Sequence, residues 1–291
     1  MIRRKIHRVK LRRGELLLGR KTLVMGVLNV TPDSFSDGGK FFDAKRAVKH
    51  ALAMQRGGAD IIDIGAESTR PGSKSISAAE ELSRLLPVLE RLRGKLKIPI
   101  SVDTQKSAVA ELTIGAGAAM INDVSGLISD PRLAEVVARH RVPIILMHMR
   151  GTPRTMQTRP FARNVMKDVM GGLKKSVAVA RKAGIEKSQI VLDPGIGFGK
   201  SFEQNYELLA KLPELAKLGY PLLVGTSRKG FLGKTMARNG KPAPAGQRIW
   251  GTAATVTASI LGGAHIVRVH DVAEMVQVAR VVDAVVNGRH R

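Results

Sequence analysis

Eight short apolar runs rich in Val, Ile and Leu alternate along this chain with eight stretches of helical period, and this repetition restricts the possible folds more than any single motif. The runs are Leu23 to Leu28, Ile61 to Ile64, Ile98 to Val102, Ala119 to Ile121, Pro143 to Met147, Ile190 to Leu192, Leu222 to Val224 and Ile266 to Val269. Between and after them lie expected helices at Ala44 to Arg56, Ala78 to Leu92, Ser107 to Ile114, Pro131 to Arg139, Val165 to Ala183, Phe202 to Leu218, Trp250 to Leu261 and Ala273 to Val286. Strands that are apolar throughout, rather than alternating, are buried on both faces, as in parallel sheets covered by helices. Eight strand-then-helix units over about 270 residues predict a (β/α)8 TIM barrel, because a doubly wound sheet usually has fewer units and an open edge. No Pro/Gly/Ser-rich linker divides the chain. One barrel over residues 21–291 is therefore expected, preceded by a basic N-terminal arm or strand at residues 1–20.

Composition narrows the function classes. With 291 residues, 44% of them hydrophobic, the chain can bury a sizeable core. Its most apolar stretch, Ala253 to Ala264, carries Thr255, Thr257, Ser259 and two glycines, well short of the roughly 18 uninterrupted apolar residues of a membrane span. A soluble protein with no membrane partner is expected. The absence of cysteine excludes disulfides, thiolate metal sites and Cys nucleophiles, and fits a cytoplasmic enzyme.

The formal charge of +24, from 48 Lys+Arg against 24 Asp+Glu, favours anionic partners. The surplus is spread over the helices, with one concentration: Arg3, Arg4, Lys5, Arg8, Lys10, Arg12 and Arg13 precede the first acid, Glu15. Aromatic residues are only 3% of the chain, and no basic motif is interleaved with them, so a generally basic surface is favoured over a nucleic-acid site.

Polar residues gather where a barrel would need them. The expected strands end in Asn29, Asp63, Asp103, Asn122, His148, Asp193, Ser227 with Lys229, and Arg268 with His270. In a (β/α)8 barrel these ends meet around one axis at the C-terminal rim, so a single polar pocket is predicted. The glycines of LDPGIGFGK lack the spacing of a P-loop or a dinucleotide fingerprint. Gly195, Gly197 and Gly199 suit sharp turns and a close backbone approach instead.

Eight short motifs stand one at each strand end: MGVLNVTPDSFSDGG (Met25 to Gly39), GAESTRPGS (Gly65 to Ser73), SVDT (Ser101 to Thr104), INDVSG (Ile121 to Gly126), LMHM (Leu146 to Met149), LDPGIGFGK (Leu192 to Lys200), GTSRKG (Gly225 to Gly230) and RVHD (Arg268 to Asp271). Together they resemble the dihydropteroate synthase family. The resemblance implies a Mg²⁺-dependent transferase that joins 6-hydroxymethyl-7,8-dihydropterin diphosphate to p-aminobenzoate, releasing diphosphate in folate synthesis. It further implies a homodimer formed through late barrel helices, and inhibition by sulfonamides.

The same resemblance assigns residues. Asp193, Asp103, Asn122 and Lys229 would hold the pterin, with Met147, Phe198 and Gly225 lining its pocket. Arg268 and His270 would bind the diphosphate, helped by Thr69 and Arg70 and by Mg²⁺ on the amide oxygen of Asn29, a hard ligand that suits a hard cation. Asp37 would stabilise a cation-like transition state, with Asp33 ordering the first loop. Both also read as ordinary turn residues of a Pro/Ser/Asp/Gly segment. Phe35 and Pro71 either wall the aminobenzoate ring or pack their loops. Ser227 and the residue after Lys229 would meet the aminobenzoate carboxylate at a helix N-terminus. There the family often has Ser and this chain has Gly230, leaving only a backbone N–H. A methyltetrahydrofolate:corrinoid methyltransferase would share Asp103, Asn122 and Asp193, but has no use for three basic groups around an uncharged methyl donor.

Overall fold

The computed structural model describes residues 4–12, 14–31, 44–69, 72–157 and 161–288. Near its start, β1 (His7–Lys10) and β2 (Glu15–Leu18) pair as an antiparallel hairpin. Eight parallel strands follow: β3 (Leu23–Asn29), β4 (Ile61–Gly65), β5 (Ile100–Asp103), β6 (Met120–Asp123), β7 (Ile144–Met147), β8 (Ile190–Asp193), β9 (Leu223–Val224) and β10 (Ile266–Val269). Their order is sequential, with β10 pairing both β3 and β9, and a bridge from Leu192 to Leu222 joins β8 to β9. The chain is a (β/α)8 barrel.

Helices occupy the gaps: α1 (Ala44–Arg56), α2 (Ala78–Leu92), α3 (Ser107–Gly115), α4 (Arg132–His140), α5 (Val165–Lys182), α6 (Phe202–Ala210), α7 (Leu212–Ala216), α8 (Gly230–Thr235), α9 (Ile249–Leu261) and α10 (Val272–Asn287). Local sequence sets their ends. Ser77 accepts the Glu80 N–H at the start of α2, and Ser201 with Gln204 forms a capping box on α6. The single helix expected over Phe202 to Leu218 is broken at Lys211. Pro213 lacks an N–H and its ring would collide with the carbonyl four residues back, so a new short helix starts there. Among the described residues no helix is long and apolar enough to cross a membrane.

Alternation along the strands sorts side chains into two cores. Ile62, Ile64, Val102, Ile121, Leu146, Leu192, Val224 and Val267 pack outward against the helices. Met25, Ile61, Met120, Ile145, Val191, Leu223 and Ile266 point inward and form a separate cluster with Val9 and Leu18 of the hairpin. The basic N-terminal segment is thus a plug for the bottom of the barrel, with its apolar face hidden among exposed Lys and Arg. Burying residues such as Val9 (1% exposed) and Leu18 (0%) contributes about 1.5–3 kcal/mol each.

Polar bonds fix the plug. Arg4 is buried and donates to Asp283 of α10 (2.5 Å), to Thr22 and to the Ala264 carbonyl. His265 accepts the Leu222 N–H through Nδ1, and its Nε2 lies 3.0 Å from the Lys5 carbonyl. Burial holds His265 neutral, with its pKa lowered to about 4.

Candidate active site

The parity that buries Met25, Ile61, Met120, Ile145, Val191, Leu223 and Ile266 at the bottom decides what stands above them. Side chains on a strand alternate between faces, so residues two further along point inward as well. These are Val27 and then Asn29 on β3, Asp63 on β4, Asn122 on β6, Met147 on β7, Asp193 on β8, Gly225 just after β9 and Arg268 on β10. On β5, with Val102 in the outer core, Ser101 and Asp103 face in. The C-terminal mouth is therefore ringed by an acid, an amide or a cation on most strands.

Asp193 is 6% exposed, and its Oδ1 accepts the Gly195 N–H at 2.7 Å. Oδ2 has no partner among the described residues. Burial raises the acid to about 6, and the Gly195 N–H, Lys229, Lys200 and Arg268 restrain the rise. The bend after β8 requires glycine: Gly195 has φ 67°, and a Cβ there would lie 2.0 Å from the His148 carbonyl oxygen.

The remaining groups converge on the same space. Lys229 Nζ lies 4.0 Å from the Phe198 ring centroid, and burial, then Arg268, lowers it to about 8. Arg268 donates from Nε to Asp63 Oδ2 (2.7 Å) and from Nη2 to Asp103 Oδ2 (3.1 Å). Burial and the neighbouring Asp63 carboxylate push Asp103 up to about 8. Asn122 donates from Nδ2 to Asp63 at 3.0 Å. Met147 is buried at 3% and pairs in register with Asp193.

His270 Nδ1 lies 3.0 Å from Ser227 Oγ, which also accepts the His270 N–H at 3.1 Å. Burial, followed by Arg268, lowers His270 to about 3. The sequence reading gave His270 a share in neutralising an anion; at neutral pH the imidazole is uncharged and offers a hydrogen bond instead. Positive charge at this rim comes from Arg268 and Lys229. Ser227 and Lys229 are presented by a strained turn: Arg228 has φ 58°, its N–H donates to Thr252, its carbonyl accepts from Arg248, and its guanidinium grips Asp271 at 2.5 and 3.1 Å. A left-handed non-glycine residue costs of order 1–3 kcal/mol, which these four bonds offset.

Asn29 ends β3, half-buried, with no hydrogen bond from its side chain to a described residue. Thr69 is half-buried in the loop after β4. The base of that loop is tied down by Lys106, which bonds both Glu67 and Glu81, and by Arg84, which donates to the Ala66 carbonyl. Asp33, Phe35, Asp37, Arg70 and Pro71 lie outside the described residues. No group of three or more His, Cys, Asp or Glu able to hold a metal occurs among the described residues. An amide oxygen at Asn29 fits a hydrated Mg²⁺ that takes its other ligands from water and phosphate.

Two participants carried no assigned role in the sequence reading. Asp63 had a visible signal, an acid inside the apolar strand IIDIG. Lys200 closes the Gly-rich segment, is 3% exposed, and donates to the His148 carbonyl (2.8 Å) with its Nζ 3.0 Å from His148 Nδ1. It thereby joins the loop after β8 to the end of β7, and burial lowers it to about 7.

Comparison with known proteins agrees with this geometry. The family profile described as pterin binding enzyme matches residues 25–270. The dihydropteroate synthase of Synechocystis sp. is 50% identical over 266 residues, 91% of either chain. Among solved structures, the Yersinia pestis dihydropteroate synthase in a sulfonamide drug complex superposes with a TM-score of 0.89 at 42% identity, covering 97% of this chain and 100% of that one. The Xanthomonas albilineans dihydropteroate synthase with 4-aminobenzoic acid gives 0.89 at 42% identity, covering 97% and 98%. A polar-mouthed barrel with these relatives across nearly its whole length belongs to the dihydropteroate synthase family of pterin-binding enzymes.

Proposed function

We propose that this chain condenses 6-hydroxymethyl-7,8-dihydropterin diphosphate with p-aminobenzoate, giving 7,8-dihydropteroate and diphosphate. The observation that carries the reading is the pairing of a buried acid, Asp193, with two cations, Lys229 and Arg268, in one barrel mouth. An acid at the floor suits the donor edge of a pterin, and cations at the lip suit a diphosphate.

In this reading Asp193 accepts the amino and ring N–H groups of the pterin, while Asn122, Asp103 and Lys229 contact the rest of the ring. Met147, Phe198 and Gly225 bound its faces. Arg268 neutralises charge growing on the diphosphate, and His270 donates to it once Ser227 holds its Nδ1. The C–O bond to the diphosphate breaks with its electron pair leaving on oxygen, the aminobenzoate nitrogen bonds to the methylene carbon, and that nitrogen then sheds a proton. Asp37, with Asp33 ordering its loop, is our choice to stabilise the cationic carbon. Thr69 and Arg70 assist the diphosphate, and Phe35 and Pro71 wall the aminobenzoate. Asn29 would hold Mg²⁺, which supplies charge neutralisation on the phosphate oxygens when bound.

The backbone N–H groups of Ser227 and Gly230 are the proposed contacts for the aminobenzoate carboxylate, since the Ser227 hydroxyl is engaged by His270, and sulfonamides are expected to compete there. A cytoplasmic homodimer completes the proposal. Exposed Trp250 (77%) on α9 and Val281 (65%) on α10 support pairing through the late helices.

Diphosphate release from the dihydropterin substrate, measured with and without p-aminobenzoate, tests the function. Release that depends on p-aminobenzoate and yields dihydropteroate supports it. A folded protein that forms no pterin adduct with both substrates and Mg²⁺ present contradicts it.

A further inference from the structure

Asp63 is 0% exposed in the middle of β4, between two isoleucines of the outer core. Its Oδ2 accepts from both Arg268 Nε (2.7 Å) and Asn122 Nδ2 (3.0 Å). Among the described residues its Oδ1 is buried without a hydrogen-bond partner, as is the hydroxyl of Ser101, its register neighbour on β5. An ionisable group half-satisfied in a barrel interior is a burden on stability, and Ile61, one layer below, shows that an apolar side chain fits this strand face. What Asp63 gains is connection. Arg268 lends one N–H to Asp63 and one to Asp103, which leaves three of its five donors for an anion among the described contacts.

We propose that Asp63 is a positioning residue that links the two ends of the donor-substrate site, aiming Arg268 at the diphosphate and Asn122 at the pterin while sharing the guanidinium with Asp103. It touches neither substrate. It acts by fixing the direction of Arg268 and Asn122 and by placing a carboxylate beside Asp103. The inference rests on the pterin-transfer reading above and deepens it. The charged groups facing Asp103 are Asp63 from β4, Glu81 from α2, Asp123 from β6, Lys229 after β9 and Arg268 from β10. Asp63 is the nearest in effect among the acids, and burial with Asp63 raises Asp103 to about 8.

The test is Asp63→Asn, which keeps the shape and removes the charge. Wild type and variant are compared by kcat/KM for dihydropterin diphosphate against pH, and by KM for each substrate. We expect the ionisation near 8 to move down by about 1 unit or more as the like charge is lost. We also expect KM for dihydropterin diphosphate to rise about tenfold, with KM for p-aminobenzoate unchanged. A lower denaturation midpoint with an unmoved pH limb and unmoved KM values makes Asp63 merely structural and overturns the proposal. A second readout does not depend on the variant folding: infrared titration of the wild-type carboxylates should show the buried Asp103 acid taking up its proton near 8, far above an ordinary carboxylate. Titration of Asp103 in the ordinary carboxylate range overturns the proposal too. Failure of the wild type to form dihydropteroate would instead strike at the function itself.

Discussion

The same eight strands build both mouths of this barrel. At the N-terminal mouth Val9 and Leu18 of the hairpin close over Met25, Ile61, Met120, Ile145, Val191, Leu223 and Ile266. At the C-terminal mouth, one or two residues further along each strand, stand Asp63, Asp103, Asn122, Asp193 and Arg268. Below, Arg4 bonds Asp283 and His265 bonds two backbone groups, with Arg4 Nε buried and unpartnered among the described residues. Above, Asp63 Oδ1 and Ser101 Oγ lack partners among the described residues, and Asp103, Asp193, Lys229 and His270 all titrate far from their ordinary values. The lower mouth is arranged for stability, and the upper mouth gives some of that stability up to keep charge ready for a ligand.

The division can be broken first at the upper mouth. Asp193→Ala removes two charge-assisted hydrogen bonds to the pterin, each worth about 1.5–3 kcal/mol, so kcat/KM for the dihydropterin substrate should fall about 10²- to 10⁴-fold. Its denaturation midpoint should not fall. Steady-state kinetics beside urea denaturation reads both, and a variant that loses stability while turning over normally would reverse the assignment.

The matching change below is Leu18→Ala, which leaves a cavity in the plug and should cost about 2–5 kcal/mol of stability. Activity per folded molecule should stay within a factor of two. A tenfold loss of turnover in the fully folded variant would mean that the hairpin shapes the site through the barrel wall, and the two mouths could no longer be treated separately.

Smaller but more diagnostic is the sign of the pH effect. Asp193, raised in the folded state to about 6, makes the native protein bind more protons than the unfolded chain between about pH 4 and 6, so its contribution to stability falls as pH rises through that window. His265, lowered to about 4, behaves oppositely: the unfolded chain binds the proton first, and stability is lost as pH falls from about 6.5 towards 4. Denaturation curves at pH 4.5 and 7 should shift in opposite senses for Asp193→Asn and His265→Gln. Shifts of the same sign would contradict the contrast. In kinetics, kcat/KM should drop below about pH 6, where Asp193 takes up a proton and can no longer accept both donors, and again above about pH 8, where Lys229 loses its charge and Asp103 gains one.

Much of this was legible in the sequence, for physical reasons. Strands buried on both faces are apolar throughout, and helices between them keep their period, so β3 to β10 and nearly all the helices fall where the pattern puts them. Strand ends announced the upper mouth because polar residues that follow apolar strands gather at the C-terminal rim of a barrel, although His148, a residue past the inward Met147, packs on α5 beside Asp168 instead. The hairpin was less visible: its basic residues dominate the segment, while Val9, Leu16 and Leu18 are too few to signal a plug. Lys211 hid a helix break that depends on Pro213. Asp63 stood out as an acid in a strand, yet its meaning lies in Arg268, 205 positions away, and no local pattern encodes that contact. Likewise Lys200 reads as the end of a glycine-rich loop until its bonds to His148 are seen.

The central claim is that the upper mouth receives a pterin on Asp193. A crystal structure with bound dihydropterin tests it most directly. The account predicts the Asp193 carboxylate within hydrogen-bond distance of the amino and ring N–H edge, with Arg268 still joined to Asp63. A pterin bound elsewhere, or lying in this mouth with Asp193 turned away from it, would contradict the account.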